Sequence, residues 1–438
     1  MFSFADSNHY AYLCPIILTD WLMKKTFIFV LGALFALMAN AQQKMTITVS
    51  NPIQTARVEM VEVDAEAIQK KLGTDQQWKV TDANHQEIPS QVTYDGKLIF
   101  QVGVAGKGKS TYYAEAGQPQ QYEVKAKGRL FTERQDEFGW ENDKVAYRVY
   151  GHGGAVGYDL FNKSTSDLML DYWYASEQNQ EMRSVSKQLS ERGYQDLADQ
   201  VYNAFCYHID HGKGMDCYTV GPTLGGGANA LLNKDGSLFM PQCYKTFEIL
   251  DKGPLRFTVR FTYPEQDFNG EKVTETRIIS LDAGSHFNRV IVSYQGLTKP
   301  TQMVAGTVIH KSNPTAYVLS PENGYLGYED LGDASVYNAK YRDELAKQMG
   351  KIYIGLLFPN KDISMTYQQR ENGIATGHIL AYCQLSTNIL LWFRMGQEPL
   401  HRLPFPHRLG GTSEPVSHEC EEPFEGCATL NEKREMRK

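Results

Sequence analysis

The sequence predicts an all-β protein: a small N-terminal β-sandwich of immunoglobulin-like size, then a large antiparallel two-sheet sandwich. Three observations carry this. Short runs of alternating apolar and polar residues recur along the chain, rich in Val, Ile, Thr, Tyr and Phe. Brief Gly, Asn, Asp or Pro turns join them, too short for the crossovers that parallel pairing needs. Helical periodicity is scarce, and no repeat of solenoid or propeller length is visible.

Residues 1–22 precede a better start at Met23 and read as an upstream mis-start. Lys24 and Lys25, the apolar run from Thr26 to Met38, and Ala39-Asn40-Ala41 have the arrangement of a secretory signal peptide over 23–41. The run is too short for a membrane span. No Cys follows the cleavage site to carry a lipid anchor. The expectation is a periplasmic or secreted protein that begins near Gln42, with no membrane span.

Residues 42–128 form the first predicted domain. Met45–Val49 and Arg57–Val63 alternate, and Lys97–Val102 follows the turn signal Asp95-Gly96. The Gly-rich stretch Ala105–Ser110 lacks the spacing of a phosphate loop and reads as a hairpin connection. The second domain, 129–384, has strand candidates at Lys144–Tyr150, Lys245–Leu250, Leu255–Tyr263, Val273–Leu281, Phe287–Tyr294, Gln302–His310 and Lys351–Phe358. A single helical pattern, Arg183–Ala204, is expected on the surface. From Leu385 the pattern turns irregular, with Pro399, Pro404, Pro406, Pro415 and Pro423. Such prolines cannot donate to a ladder, and we read 385–438 as an irregular tail produced by a frameshift.

Composition excludes two classes. The 42% hydrophobic and 12% aromatic residues are enough for a large core and exclude wholesale disorder. Lys plus Arg is 44 against Asp plus Glu at 51, a net charge of −7. With no basic stripe, nucleic acid is excluded as the main partner. Of the seven cysteines, Cys206 and Cys217 are close enough in sequence to clip a loop after export. Buried free thiols fit them equally well.

The segment 206–229 carries the chemistry. His208, Asp210, His211, Lys213 and Tyr218 fall on a Gly-rich backbone that permits close approach to a ligand. Histidine near neutrality and a tyrosine are what general acid–base work requires. Each also has a bland use as a turn cap or surface group, and sequence leaves both open. His208, Asp210 and His211 offer imidazole and carboxylate to a divalent metal ion, though their spacing follows no general metal rule. Trp140, Glu141 and Asn142 combine an apolar face with polar groups, as a sugar-binding edge would; a core Trp reads the same way. Arg277, two residues from Glu275 on one strand face, would clamp a carboxylate if that face lines a cleft, and otherwise forms an ion pair. His286 flanks the hairpin at Asp282-Ala-Gly284.

Trp140–Asp143, Tyr207–Asp216, Met240–Cys243 and Leu281–His286, in this order, resemble the family called domain of unknown function 4861 over about Met45 to Gln384. That resemblance implies a galactose-mutarotase-like β-supersandwich behind a small β domain, in an exported protein of polysaccharide utilisation. It also implies a carbohydrate-active lyase or dehydratase that acts on uronic-acid-containing oligosaccharides. Against that activity, His208, His211, Tyr218 and Arg277 are the candidate catalytic groups. Trp140, Glu141, Asn142, Lys213 and His286 are the candidate substrate contacts. A non-catalytic glycan-binding protein, a sugar epimerase or mutarotase, and a glycoside hydrolase are the alternatives. No cofactor is expected beyond a divalent metal ion at Asp210 with His208 and His211.

Overall fold

The computed structural model describes residues 44–73, 77–154, 156–331, 350–359, 363–385 and 391–397. The described chain is built of antiparallel sheets with few helices, the all-β class that the alternation predicts.

In the N-terminal unit, β1 (Lys44–Ser50), β7 (Lys109–Ala116), β3 (Trp78–Thr81) and β4 (Glu87–Ile88) form one sheet in that order. Strands β2 (Arg57–Asp64), β6 (Lys97–Val104) and β5 (Ser90–Val92) form another. Val49, Val61, Val80, Leu98, Phe100 and Ala114 close the core. Helix α1 (Ala65–Leu72) adds Ile68 and Leu72 to it, four residues apart on one face. The Gly-rich stretch Ala105–Ser110 is the connection between β6 and β7. Polar contacts seat this unit on the larger one. Gln91 holds the backbone of Leu255 and Arg256 at 3.0 and 2.8 Å, and Arg256 pairs with Glu62 at 2.6 Å.

The larger unit has three sheets among the described residues. The nine-stranded sheet runs β15 (Thr246–Lys252), β16 (Arg256–Thr262), β18 (Glu271–Asp282), β19 (Phe287–Gln295), β26 (Leu391–Gln397), β23 (Lys351–Leu357), β22 (Tyr325–Leu331) and β21 (Tyr317–Ser320), with β17 (Gln266–Phe268) paired to β18. A five-stranded sheet runs β14 (Leu238–Phe239), β13 (Ala228–Leu232), β20 (Thr301–His310), β25 (Ala375–Leu385) and β24 (Ser364–Gln369). The other runs β12 (Gly214–Asp216), β11 (Asp159–Lys163), β10 (Ala146–Val149), β9 (Glu137–Asn142) and β8 (Ala126–Phe131). One continuous core joins all three through residues such as Phe138, Trp140, Phe257, Val290, Val304, Leu326 and Ile379. Burial in β18 and β19 alternates because one face packs, whereas β9 is buried throughout and β20 nearly so.

Two local expectations change. The pattern at Arg183–Ala204 is not one helix but two, α3 (Gln180–Glu191) and α4 (Gln195–Asn203), after α2 (Leu170–Glu177). Gly193, at φ +85°, sits in the turn that separates them. The stretch from Leu385 is not irregular throughout. Leu391–Gln397 forms β26, which pairs with both β19 and β23 inside the nine-stranded sheet. It fits because its residues precede the first of the prolines, Pro399. The rest of the supposed tail, the mis-start and the signal segment lie outside the described residues.

Candidate active site

The histidine–aspartate segment does not converge on one point. His208 donates its Nδ1–H to the Asp216 carbonyl at 2.9 Å. His211, exposed, donates Nε2–H to the Cys206 carbonyl at 3.2 Å. Asp210 accepts from the N–H groups of Gly212 and Gly214 at 2.7 and 2.8 Å, an Asx-type turn. Each candidate ligand is thus taken by its own loop, which corrects the metal reading. No His, Cys, Asp or Glu cluster among the described residues could hold a metal ion. Lys213 is exposed and pairs with Asp167 at 2.7 Å. Cys206 and Cys217 are buried free thiols, and burial pushes the Cys206 thiol up to about 11.

The predicted sugar edge is core. Trp140 is 0% exposed, donates Nε1–H to Asn288 at 2.8 Å and stacks on Tyr147. Glu141 accepts from the N–H groups of Met169 and Leu170 at 2.6 and 2.8 Å, capping α2, and pairs with Lys163 at 3.0 Å. Asn142 donates to the carbonyls of Asp282 and Ser285, and its own side-chain oxygen takes two backbone N–H groups at 2.8 and 2.9 Å. It pins the hairpin that bears His286, whose carbonyl lies 3.5 Å from the Tyr147 hydroxyl. Arg277 does share a face with Glu275 and pairs with it, but at 0% exposure it lies between sheets, with its guanidinium 4.5 Å from the Tyr263 ring centre. The side chains of Trp140, Glu141, Asn142 and Arg277 are thus committed to structural contacts within the fold.

Tyr218 alone of the predicted groups enters a constellation with chemical capacity. Its partners are His310, the last residue of β20, and Asp330 of β22. His310 Nδ1–H donates to Asp330 Oδ2 at 2.6 Å. Asp330, fully buried, also accepts from the Leu331 N–H at 2.8 Å and has the Tyr328 hydroxyl 3.0 Å from its other oxygen. With Nδ1 committed as donor, Nε2 carries the lone pair, and it has no hydrogen-bond partner. The Tyr218 ring centre stands 5.3 Å from that imidazole, and its hydroxyl is likewise unpartnered. Burial, then the charge of Asp330, push the Tyr218 phenol well above its ordinary value, so it is a proton donor at neutral pH. His378 on β25 adds a third open atom, Nδ1, while its Nε2 accepts from the Leu224 N–H at 3.3 Å. Burial, with Arg370 and His310 adding to it, lowers His378 to about 3.

Local sequence explains these positions. The register of β20 against β25 shifts between Ile309 and His310, a bulge that re-aims His310 at the strand end. Tyr218 begins a loop locked between sheets. The Gly225 carbonyl accepts from the Val308 N–H at 3.1 Å and the Thr307 hydroxyl at 2.8 Å, and Gly226 N–H donates to the Tyr158 carbonyl at 2.8 Å. Gly157 lets the loop pass, since a Cβ there would lie 2.2 Å from the Leu224 carbonyl carbon. Beside this stands a buried ion network. Arg148 reaches Asp159 and Asp216, each at 2.7 Å, and Glu137 at 3.5 Å. Burial, opposed by Arg148 and reinforced by Asp216, pushes Asp159 up to about 6. Asp216 of this network lies two residues before Tyr218, so the network adjoins the Tyr218 loop. Sequence reasoning missed His310 and Asp330; the available signal was one ionisable residue at the end of an otherwise apolar strand.

The comparisons with known proteins come from sequence and from structure. A curated relative, Uncharacterized protein P7 of Formosa agariphila, is 28% identical over 213 residues, 46% of this chain and 47% of that protein. The match thus spans about half the length of the relative. Among solved structures, an alpha-mannosidase from Enterococcus faecalis V583 aligns at 8% identity and TM-score 0.40, over 81% of this chain and 43% of that one. A protein in the glycosyl hydrolase family 38, also from Enterococcus faecalis, aligns at 9% identity and TM-score 0.40, over 82% and 45%. The sequence profile of a whole family matches residues 49–393, and by it the chain belongs to the family described as domain of unknown function (DUF4861).

Proposed function

We propose that this chain is a carbohydrate-active carbon–oxygen lyase or dehydratase acting on uronic-acid-containing oligosaccharides, exported and used in polysaccharide breakdown. One observation carries the reading. His310, braced by Asp330, has its ring centre 5.3 Å from that of Tyr218, and its Nε2 and the Tyr218 hydroxyl are both buried without a hydrogen-bond partner. Buried polar atoms without partners are costly, and they persist where a ligand completes them.

Elimination across C4–C5 of a uronate needs a base for the C5 proton and an acid for the C4 oxygen. His310 Nε2 takes the C5 proton, and Asp330 stabilises the imidazolium that forms. The C–H electron pair becomes the C4–C5 double bond, the C4–O bond breaks, and Tyr218 gives its proton to the departing oxygen. Proton return from the imidazolium to the phenolate restores both groups. If the C4 substituent is a hydroxyl, the product is water; if it is a glycoside, the product is the shortened sugar. Epimerases use the same two proton positions without breaking C4–O, so the product decides between them.

The test is incubation with a panel of uronate-terminated oligosaccharides, followed by ultraviolet absorbance of the unsaturated sugar and mass spectrometry. Product formation that falls by about a hundredfold or more in His310→Gln is expected. Absence of unsaturated product across the panel would overturn the reading.

A further inference from the structure

We infer that Arg370 is the residue that recognises the substrate carboxylate at this site, an inference that rests on the elimination reading above. The Asp330 carboxyl is buried against His310, and Asp216 of the ion network lies two residues before Tyr218. An anionic sugar entering there meets like charge and desolvation, which only a free cation offsets. Two buried arginines of the larger unit are already committed. Arg148 is 3% exposed and bound to Asp159 and Asp216, and Arg277 is 0% exposed and bound to Glu275.

Two cations remain near the constellation. Lys311 follows His310 directly and donates its N–H to the Ile374 carbonyl at 2.9 Å. Arg370 stands at the head of the turn from β24 to β25, its N–H bound to the Thr376 carbonyl at 3.0 Å. That turn ends at Ala375, the register partner of His310. Asn372 stiffens it by accepting from the N–H groups of Ile374 and Ala375 at 2.9 and 2.8 Å. Both cations are exposed, and neither has an ion-pair partner among the described residues. Neighbouring Glu371 is occupied by Gln369 at 3.1 Å. The positive charge of Arg370 also reaches the buried ring of His378. A guanidinium meets a carboxylate through two parallel hydrogen bonds, which an ammonium cannot match, so the choice falls on Arg370 over Lys311. Neutralising the carboxylate also acidifies the C5 proton that His310 removes.

The experiment compares the parent chain with Arg370→Gln, Arg370→Lys and Lys311→Gln on glucuronate-terminated oligosaccharides and their carboxyl-reduced counterparts. Turnover and calorimetric affinity are read together, and thermal melting checks the fold. For Arg370→Gln, a rise in KM and Kd of about ten- to a hundredfold is expected on the uronate, with little change on the reduced sugar. Arg370→Lys should recover part of the loss, and Lys311→Gln should lose less. An active, folded Arg370→Gln with parental KM and Kd overturns the inference while the elimination reading stands. A parent chain that neither binds nor converts any uronate overturns both.

Discussion

Leu224 donates its backbone N–H to Nε2 of His378 at 3.3 Å, tying the loop that holds Tyr218 to the strand that pairs with His310. Only a neutral imidazole accepts that bond, and burial keeps His378 neutral down to about pH 3. In the unfolded chain the same ring takes up a proton near its ordinary value of 6.5. Its contribution is therefore complete above that value and is lost as pH falls from there toward about 3. Urea unfolding from about pH 7 to about pH 4 should show the parent losing stability, with part of that slope absent in His378→Leu. Equal slopes would mean the ring is solvated.

Asp159 has the opposite sign. Its folded value, about 6, lies above its ordinary one of 3.8, so its effect is fully favourable below 3.8 and is lost as pH rises through 6. Asp159→Asn should flatten the stability change between about pH 4 and pH 6, measured by the same unfolding series. An unchanged slope over that range in the variant would contradict the network geometry.

Asp330→Asn keeps the shape of the site, with its oxygen held by the Leu331 N–H and the Tyr328 hydroxyl. It then turns an amide N–H toward His310, so Nδ1 must accept and Nε2 loses its lone pair, and the charge that stabilises the imidazolium is gone. Turnover on a competent uronate should fall by about 10²- to 10⁴-fold. The melting temperature should move little, because the amide can still meet the Leu331 and Tyr328 groups. A variant with parental turnover would remove Asp330 from the dyad.

Gly157→Ala places a methyl carbon 2.2 Å from the Leu224 carbonyl carbon, backbone against backbone. The Tyr218 loop must shift, at a cost of about 1–3 kcal/mol. Loss of turnover should exceed the loss of folded protein, as seen by comparing specific activity with circular dichroism.

Arg277→Met leaves the Glu275 carboxylate buried without its cation, and should cost about 3–5 kcal/mol of stability. The double variant with Glu275→Leu should regain part of that loss. Activity per folded molecule is expected to stay close to parental, because the pair lies between sheets. A selective loss of activity in Arg277→Met would restore the carboxylate-clamp role that its sequence position suggested.

The strands were legible because packing one face of a sheet imposes a period of two, and a misread register would bury polar groups. Thus Phe287–Tyr294 appears as Phe287–Gln295, and Val273–Leu281 as Glu271–Asp282. The site was legible only at Tyr218. Density of ionisable residues drew attention to 206–216, yet His208, Asp210 and His211 are there to satisfy backbone groups of a tight loop. His310 and Asp330 are separated by 20 positions and meet only because β20 and β22 belong to facing sheets. Likewise a tryptophan between Gly139 and Glu141 reads equally as platform or core, and only its 0% exposure decides.

The placement of β26 has an effect on how the protein comes together. Its seven residues form the seam between β19 and β23, so the segments made earlier have no direct ladder joining these two halves of the nine-stranded sheet. Translation that stops short of Leu391 would leave β19 and β23 as two raw, unpaired borders, each a template for sticking to another chain. Completion of this sheet thus waits until Leu391–Gln397 has been made.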